Sequence, residues 1–163
     1  MEKKGHVLVK LLVSLISVSA ISTAFLNVHL NARQQVYYED LSSLMSMQAR
    51  SAFDRLSYHL RLAGYANSEY KKPVEIVKGT ESDTLKIWHN DVEIVFYLDH
   101  EKSDNALYEK VDGSARKVIE GVKSLKLAQS NFDLISIELT LSQTDTDESS
   151  KIVSRSYSTS IKL

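Results

Sequence analysis

The chain has 163 residues, a net charge of −1, a pI near 6.5, no cysteine, one proline and five glycines. The even charge balance excludes the global basic field of a nucleic-acid binder, so there is no direct nucleic-acid signal. Absence of cysteine removes disulfides, thiolate metal sites and Cys nucleophiles together, and the scarcity of Pro and Gly predicts long unbroken elements.

Met1 to Gly5 forms a short basic leader, and an apolar stretch follows from Val7 to about Leu30. Spanning a bilayer by helix takes about 20 apolar residues. Val7 to Leu26 has that length, with Lys10, Ser14, Ser17, Ser19, Ser22 and Thr23 inside it. A Ser or Thr bonds back to a carbonyl one turn earlier, and Lys10 lies near enough to the start to snorkel to headgroups. Lys3, Lys4 and Lys10 mark the leading end, while Glu39 and Asp40 follow it. The positive-inside rule then predicts a single pass with the N-terminus in the cytoplasm and the remainder outside. A cleaved secretory signal competes with this reading, with an h-region from Leu11 and a small-x-small site at Val18-Ser19-Ala20 or Ser22-Thr23-Ala24.

From Asn27 to Ala63 there is neither Pro nor Gly, and apolar residues recur at Leu41, Met45, Ala49, Ala52, Leu56, Leu60 and Ala63. Steps of three and four make one stripe of an amphipathic helix, with Glu39, Ser43, Arg50, Asp54 and Arg61 on the opposite face. Gly64 is the expected C-terminal cap. A continuous helix from Val7 to Ala63 would be on the order of 85 Å long. A cleaved signal has no need of a pattern that runs on into the domain.

After Pro73 the period changes to two. Thr84–Trp88 alternates, Val92, Ile94, Phe96 and Leu98 share a face, and His89-Asn90-Asp91 is a turn between them. Ala106–Val111 and Ser114–Ile119 flank Asp112-Gly113, a short-hairpin signal. Val122–Ala128 reads as strand or short helix, Ile135–Leu141 as a one-sided strand, and Ile152–Leu163 as a closing strand after a polar loop, Gln143–Ser150. The predicted organisation is a leader (1–5), a transmembrane or assembly helix (6–30), its amphipathic continuation (31–65) and an antiparallel β-rich domain (66–163). The fold class is α+β, the helix covering one face of an antiparallel sheet.

Motifs that carry catalysis are missing. The five His residues (6, 29, 59, 89, 100) have no zinc spacing, and there is no GxSxG, GxGxxG or Walker loop. Tyr37, Tyr38, Glu39 and Asp40 read as a solvated helix face. Asp145, Asp147 and Glu148 crowd one loop with the hard oxygen donors that calcium prefers, although loop carboxylates are commonly only solvated. The expectation is no enzyme and no cofactor.

Gly5 followed by His6-Val7-Leu8-Val9-Lys10 and a long apolar helix resembles the class III signal of type IV pilins and type II secretion pseudopilins. Arg61-Leu-Ala63-Gly64-Tyr65, ending the stretch that starts at Arg50, resembles the helix end of PilW-type minor pilins and J-type minor pseudopilins. The order of Ser82-Asp-Thr-Leu85, the Val92–Leu98 strand, Leu107-Tyr108 and Glu120-Gly-Val122 is similar to that group as well. The resemblance implies cleavage after Gly5 by a prepilin peptidase, N-methylation of His6, insertion in the inner membrane, a periplasmic C-terminal domain, and lateral assembly with other minor pilins or pseudopilins through the apolar helix. It implies no cofactor. His6 stands where Phe is usual and Lys10 where Glu is usual. In the family that carboxylate neutralises a neighbour's N-terminal amine, an attraction that low dielectric strengthens. Lys10 would repel that amine, which implies a position in the filament where no neighbour's amine is received, unless Lys10 is simply a snorkelling boundary charge.

The resemblance implies a structural subunit of a type IV pilus or type II secretion pseudopilus. The alternative is an exported or membrane-anchored periplasmic α+β binding domain that forms no filament. A secreted hydrolase without a recognisable motif is a third reading.

Overall fold

The computed structural model describes residues 2–65, 73–99, 105–130, 134–144 and 152–163. The chain divides into two compact units, Met1–Ser43 and Leu44–Leu163. One helix, α1 (Glu2–Tyr65), contributes to both.

Within the first unit α1 carries apolar side chains on every side with nothing covering them. Val7, Leu15, Phe25 and Leu30 are 58, 72, 73 and 49% exposed. An 18-residue window here reaches a mean hydropathy of 2.0, and its length and composition suit a membrane crossing. The hydroxyls inside the run do not break it. Ser14 donates to the Leu11 carbonyl at 2.8 Å, Ser17 to Val13 at 2.9 Å and Thr23 to Ser19 at 2.9 Å, so each polar group is absorbed by the helix itself.

Past Ser43 the helix becomes one-sided. Met45, Ala49, Ala52, Leu56, Leu60 and Ala63 are all buried, while Arg50, Asp54 and Arg61 stay exposed. That is the stripe the spacing predicts; Leu41, its first member, is only half-buried. The helix runs to Tyr65, so Gly64 sits in its last turn rather than capping it.

Eight antiparallel strands complete the second unit: β1 (Val74–Val77), β2 (Thr84–His89), β3 (Val92–Asp99), β4 (Ala106–Val111), β5 (Ser114–Ile119), β6 (Val122–Ser130), β7 (Leu134–Thr144) and β8 (Ile152–Lys162). The α+β class holds. The strands form two sheets, however, ordered β1-β2-β3-β4-β5 and β6-β7-β8, where one sheet was expected. Val122–Ala128 is strand, and β1 was not foreseen at all.

Two tight hairpins set the register of the larger sheet. Asn90 and Asp91 have φ of 49° and 64°, and Asp112 and Gly113 have 47° and 82°. Two successive positive φ values are what a two-residue type I′ turn requires, and His89 pairs with Val92 and Val111 with Ser114 accordingly. One face of this sheet presents Leu85, Ile87, Ile94, Phe96 and Leu107 to the core, and α1 lies over it, with the His59 and Phe96 rings 5.7 Å apart.

The chain passes from the first sheet to the second at Gly121. Its φ is 70°, its carbonyl accepts the Ser142 N–H at 2.7 Å, and a Cβ there would meet the Ser142 oxygen at 2.8 Å. Both the left-handed backbone and the close approach require glycine. Gly121→Ala is expected to cost about 2 kcal/mol in chemical unfolding of the full chain in detergent micelles. A loss under about 0.5 kcal/mol would show that this crossing is adaptable.

Candidate functional site

Two polar constructions stand out in the second unit, and neither was identified from the sequence. The first joins α1 to the larger sheet. Arg55 and His59 are one turn apart, so both project from one side of the helix. Opposite them stands Glu109 of β4, in the cross-strand row Leu85–Phe96–Glu109–Arg116. Glu109 is 2% exposed, an expensive place for a carboxylate unless it is paired. Arg55 contacts Oε2 through Nε at 2.7 Å and Nη2 at 2.6 Å, and His59 Nε2 lies 2.7 Å from Oε1. Both carboxylate oxygens are therefore satisfied.

Burial lowers the His59 pKa below its ordinary 6.5. The charge and hydrogen bond of Glu109 oppose this without cancelling it, and the positive charge of Arg55 adds to the lowering. His59 is thus neutral near pH 7, with its proton on Nε2 to serve Glu109. Nδ1 is left as a buried acceptor with no partner among the described residues. A groove opens beside this network, lined by Arg55, Tyr58, His59, Glu109, Val111, Ser114 and Arg116. It brings a serine, a histidine and a glutamate together, yet they do not form a triad. His59 Nδ1 has no bond to Ser114, and Arg55 already neutralises the glutamate.

The second construction ties the two sheets together. Asp83, just before β2, is 2% exposed. Its backbone N–H donates to the Leu125 carbonyl at 2.8 Å, and its Oδ2 accepts the Leu127 N–H at 2.7 Å. Lys78 Nζ reaches the same Oδ2 at 2.9 Å and also bonds the Leu127 carbonyl, while the Gly79 N–H donates to Oδ1 at 3.3 Å. Ser82 Oγ accepts from the Leu125 N–H at 3.3 Å. Ser82-Asp83 thus serves as a short stand-in strand along the outer edge of β6. The burial of Asp83 raises its carboxyl pKa, but the hydrogen bonds from Leu127, Lys78 and Gly79 outweigh it and hold the value below the ordinary 3.8.

The residues picked out by the sequence fall elsewhere. Gly5 lies in the first turns of α1, and His6 and Lys10 are exposed on it. Arg61 is exposed, Ala63 is 1% exposed in the core, and Gly64 and Tyr65 end the helix. Asp145, Asp147 and Glu148, weighed as calcium donors, lie outside the described residues. Three of the later motifs prove to be structural positions. Ser82-Asp83 is the clamp, Leu107/Tyr108 carries the register shift of the β4–β5 ladder, and Gly121 makes the crossing between sheets. The signal for the buried network was Glu109 itself, a lone acid in the apolar run Ala106–Val111, together with the Arg55/His59 spacing at the border of the helix stripe. Compared with known proteins, the chain matches no family model, no curated protein and no solved structure.

Proposed function

We propose that this chain is a minor pilin-like or pseudopilin subunit, a structural protein that works by assembly through α1. The observation that carries the reading is the two-part character of that helix. Its leading part is apolar on all sides and uncovered, and its trailing part is the one-sided core element of an α+β domain. An apolar surface of this extent is covered by lipid or by other apolar helices. In this reading a prepilin peptidase cleaves after Gly5, His6 becomes the N-methylated first residue, and the protein waits in the inner membrane with its C-terminal domain in the periplasm. Other minor pilins or pseudopilins then pack against the helix in a pilus or secretion pseudopilus. Lys10, exposed and without an acid nearby on its own helix, belongs to a terminal position in such a filament.

Mass spectrometry of the mature N-terminus tests this. A chain beginning at His6 is expected, and Gly5→Val is expected to leave the leader in place. A chain beginning at Ile21 or Phe25 would mean a conventional signal peptidase and overturn the reading. Cross-linking that found the subunit repeated along a filament shaft would overturn the terminal position alone.

A further inference from the structure

One edge of the larger sheet is formed by β5. β5 is the last strand in the order, so among the described residues its outer rim has no ladder partner. Ser114 to Lys117 are all exposed. Their side chains alternate, with Ser114 and Arg116 on the face toward α1 and Ala115 and Lys117 on the other. Lys117 is paired with Glu120. Arg116 has no ion pair or hydrogen bond among the described residues, and it lines the groove described above. Glu109 does not supply its partner, because that carboxylate is 2% exposed and taken up by Arg55 and His59. Beside Arg116 the groove offers Val111 and Tyr58, the latter 61% exposed.

We propose that this groove docks an extended acidic segment of another protein, which adds to the sheet as a strand along β5 and sets a carboxylate on Arg116. The rim supplies main-chain hydrogen bonds and the groove supplies side-chain selection, the division of labour in strand addition. Because alternate residues of an added strand face α1, the acid is flanked at two positions' distance by an apolar side chain resting on Tyr58 and Val111. Basic residues also guard edge strands against self-association. Guarding requires only charge, whereas here the charge comes with an apolar groove and an exposed tyrosine. A second copy of this chain is a poor occupant, since antiparallel β5–β5 pairing would set Arg116 and Lys117 against their own counterparts. The inference stands on the second unit alone and does not depend on the pilin reading.

The test is binding of a fluorescent peptide, Thr-Val-Thr-Glu-Thr-Val-Thr, to the full chain in detergent micelles at low salt. Binding is expected, with affinity lower by about tenfold when the peptide Glu becomes Gln or when the protein carries Arg116→Gln. Arg116→Glu is expected to reject this peptide and accept its Lys counterpart. A peptide with alternate Thr replaced by Pro, which removes main-chain donors, is expected not to bind. Equal binding of the Glu and Gln peptides, unchanged binding to Arg116→Gln, retention by the proline peptide, or no binding at millimolar peptide would each overturn the proposal. Because Arg116 is exposed and has no partner among the described residues, unfolding curves of its variants are expected to superimpose on the parent, which keeps the result a statement about docking.

Discussion

Asp83→Ala is expected to destabilise the second unit by about 4 kcal/mol, read from urea unfolding of the full chain in detergent micelles. The magnitude comes from the backbone side of the clamp. Deleting the carboxylate strands the Leu127 N–H, which Asp83 meets at 2.7 Å inside the protein, and loosens the Gly79 N–H. Lys78 adds little, because its side chain is 64% exposed and water replaces its partner. Asp83→Asn keeps an acceptor and is expected to lose about half as much. A loss below about 1 kcal/mol for the alanine variant would show that the sheets hold together without this residue.

The same carboxylate and the His59 imidazole set the acid limit of the fold. Each has a folded pKa below its unfolded value, so in each case the unfolded chain takes up the proton first and stability falls with pH. The sequence of losses follows from the two unfolded values. His59 withdraws its contribution as the pH drops below 6.5 toward its folded value, and Asp83 as it drops below 3.8. Two steps are expected in stability against pH, the first absent in His59→Gln and the second absent in Asp83→Asn. A curve with the first step intact in His59→Gln would assign that step to another group.

What the sequence disclosed was whatever repeats along the chain. The apolar run at Val7–Leu30, the stripe from Met45 to Ala63 and the alternation in Val92–Leu98 are local periodicities, and Asp112-Gly113 is a local turn with its own backbone demand. Partners distant along the chain left no such trace. Alternation in β6 names a buried face but not the strand beside it, so the split into two sheets at Gly121 was hidden. β1 has four residues, too few for a pattern. Ser82-Asp83 looks like loop polarity until the Leu125 and Leu127 amides are set beside it, more than forty residues on. Glu109 is anomalous in its strand, but only the arrangement of Arg55 and His59 shows that the anomaly is answered.

That answer has a consequence for charge balance. Arg55→Met is expected to cost about 3 kcal/mol at pH 8, because it removes the cationic partner of a carboxylate that is 2% exposed. The value is at the low end for a broken buried pair, since the Arg55 side chain is itself 33% exposed. More telling is the direction of the pH effect. With the guanidinium gone, one of the causes that lowers the His59 pKa disappears while the attraction of Glu109 remains. Burial, the largest of the lowering causes, stays in place, so the folded pKa of His59 moves up toward its unfolded value. A smaller depression means that less stability is withdrawn as the pH falls through the unfolded value. Arg55→Met is therefore expected to lose less further stability than the parent as the pH falls below 6.5. Adding Glu109→Gln removes the charge that needed an answer, so the double variant is expected to recover most of the loss. An unchanged slope in Arg55→Met would mean that water reaches Glu109 and that the network is not the closed, charge-balanced unit its geometry describes.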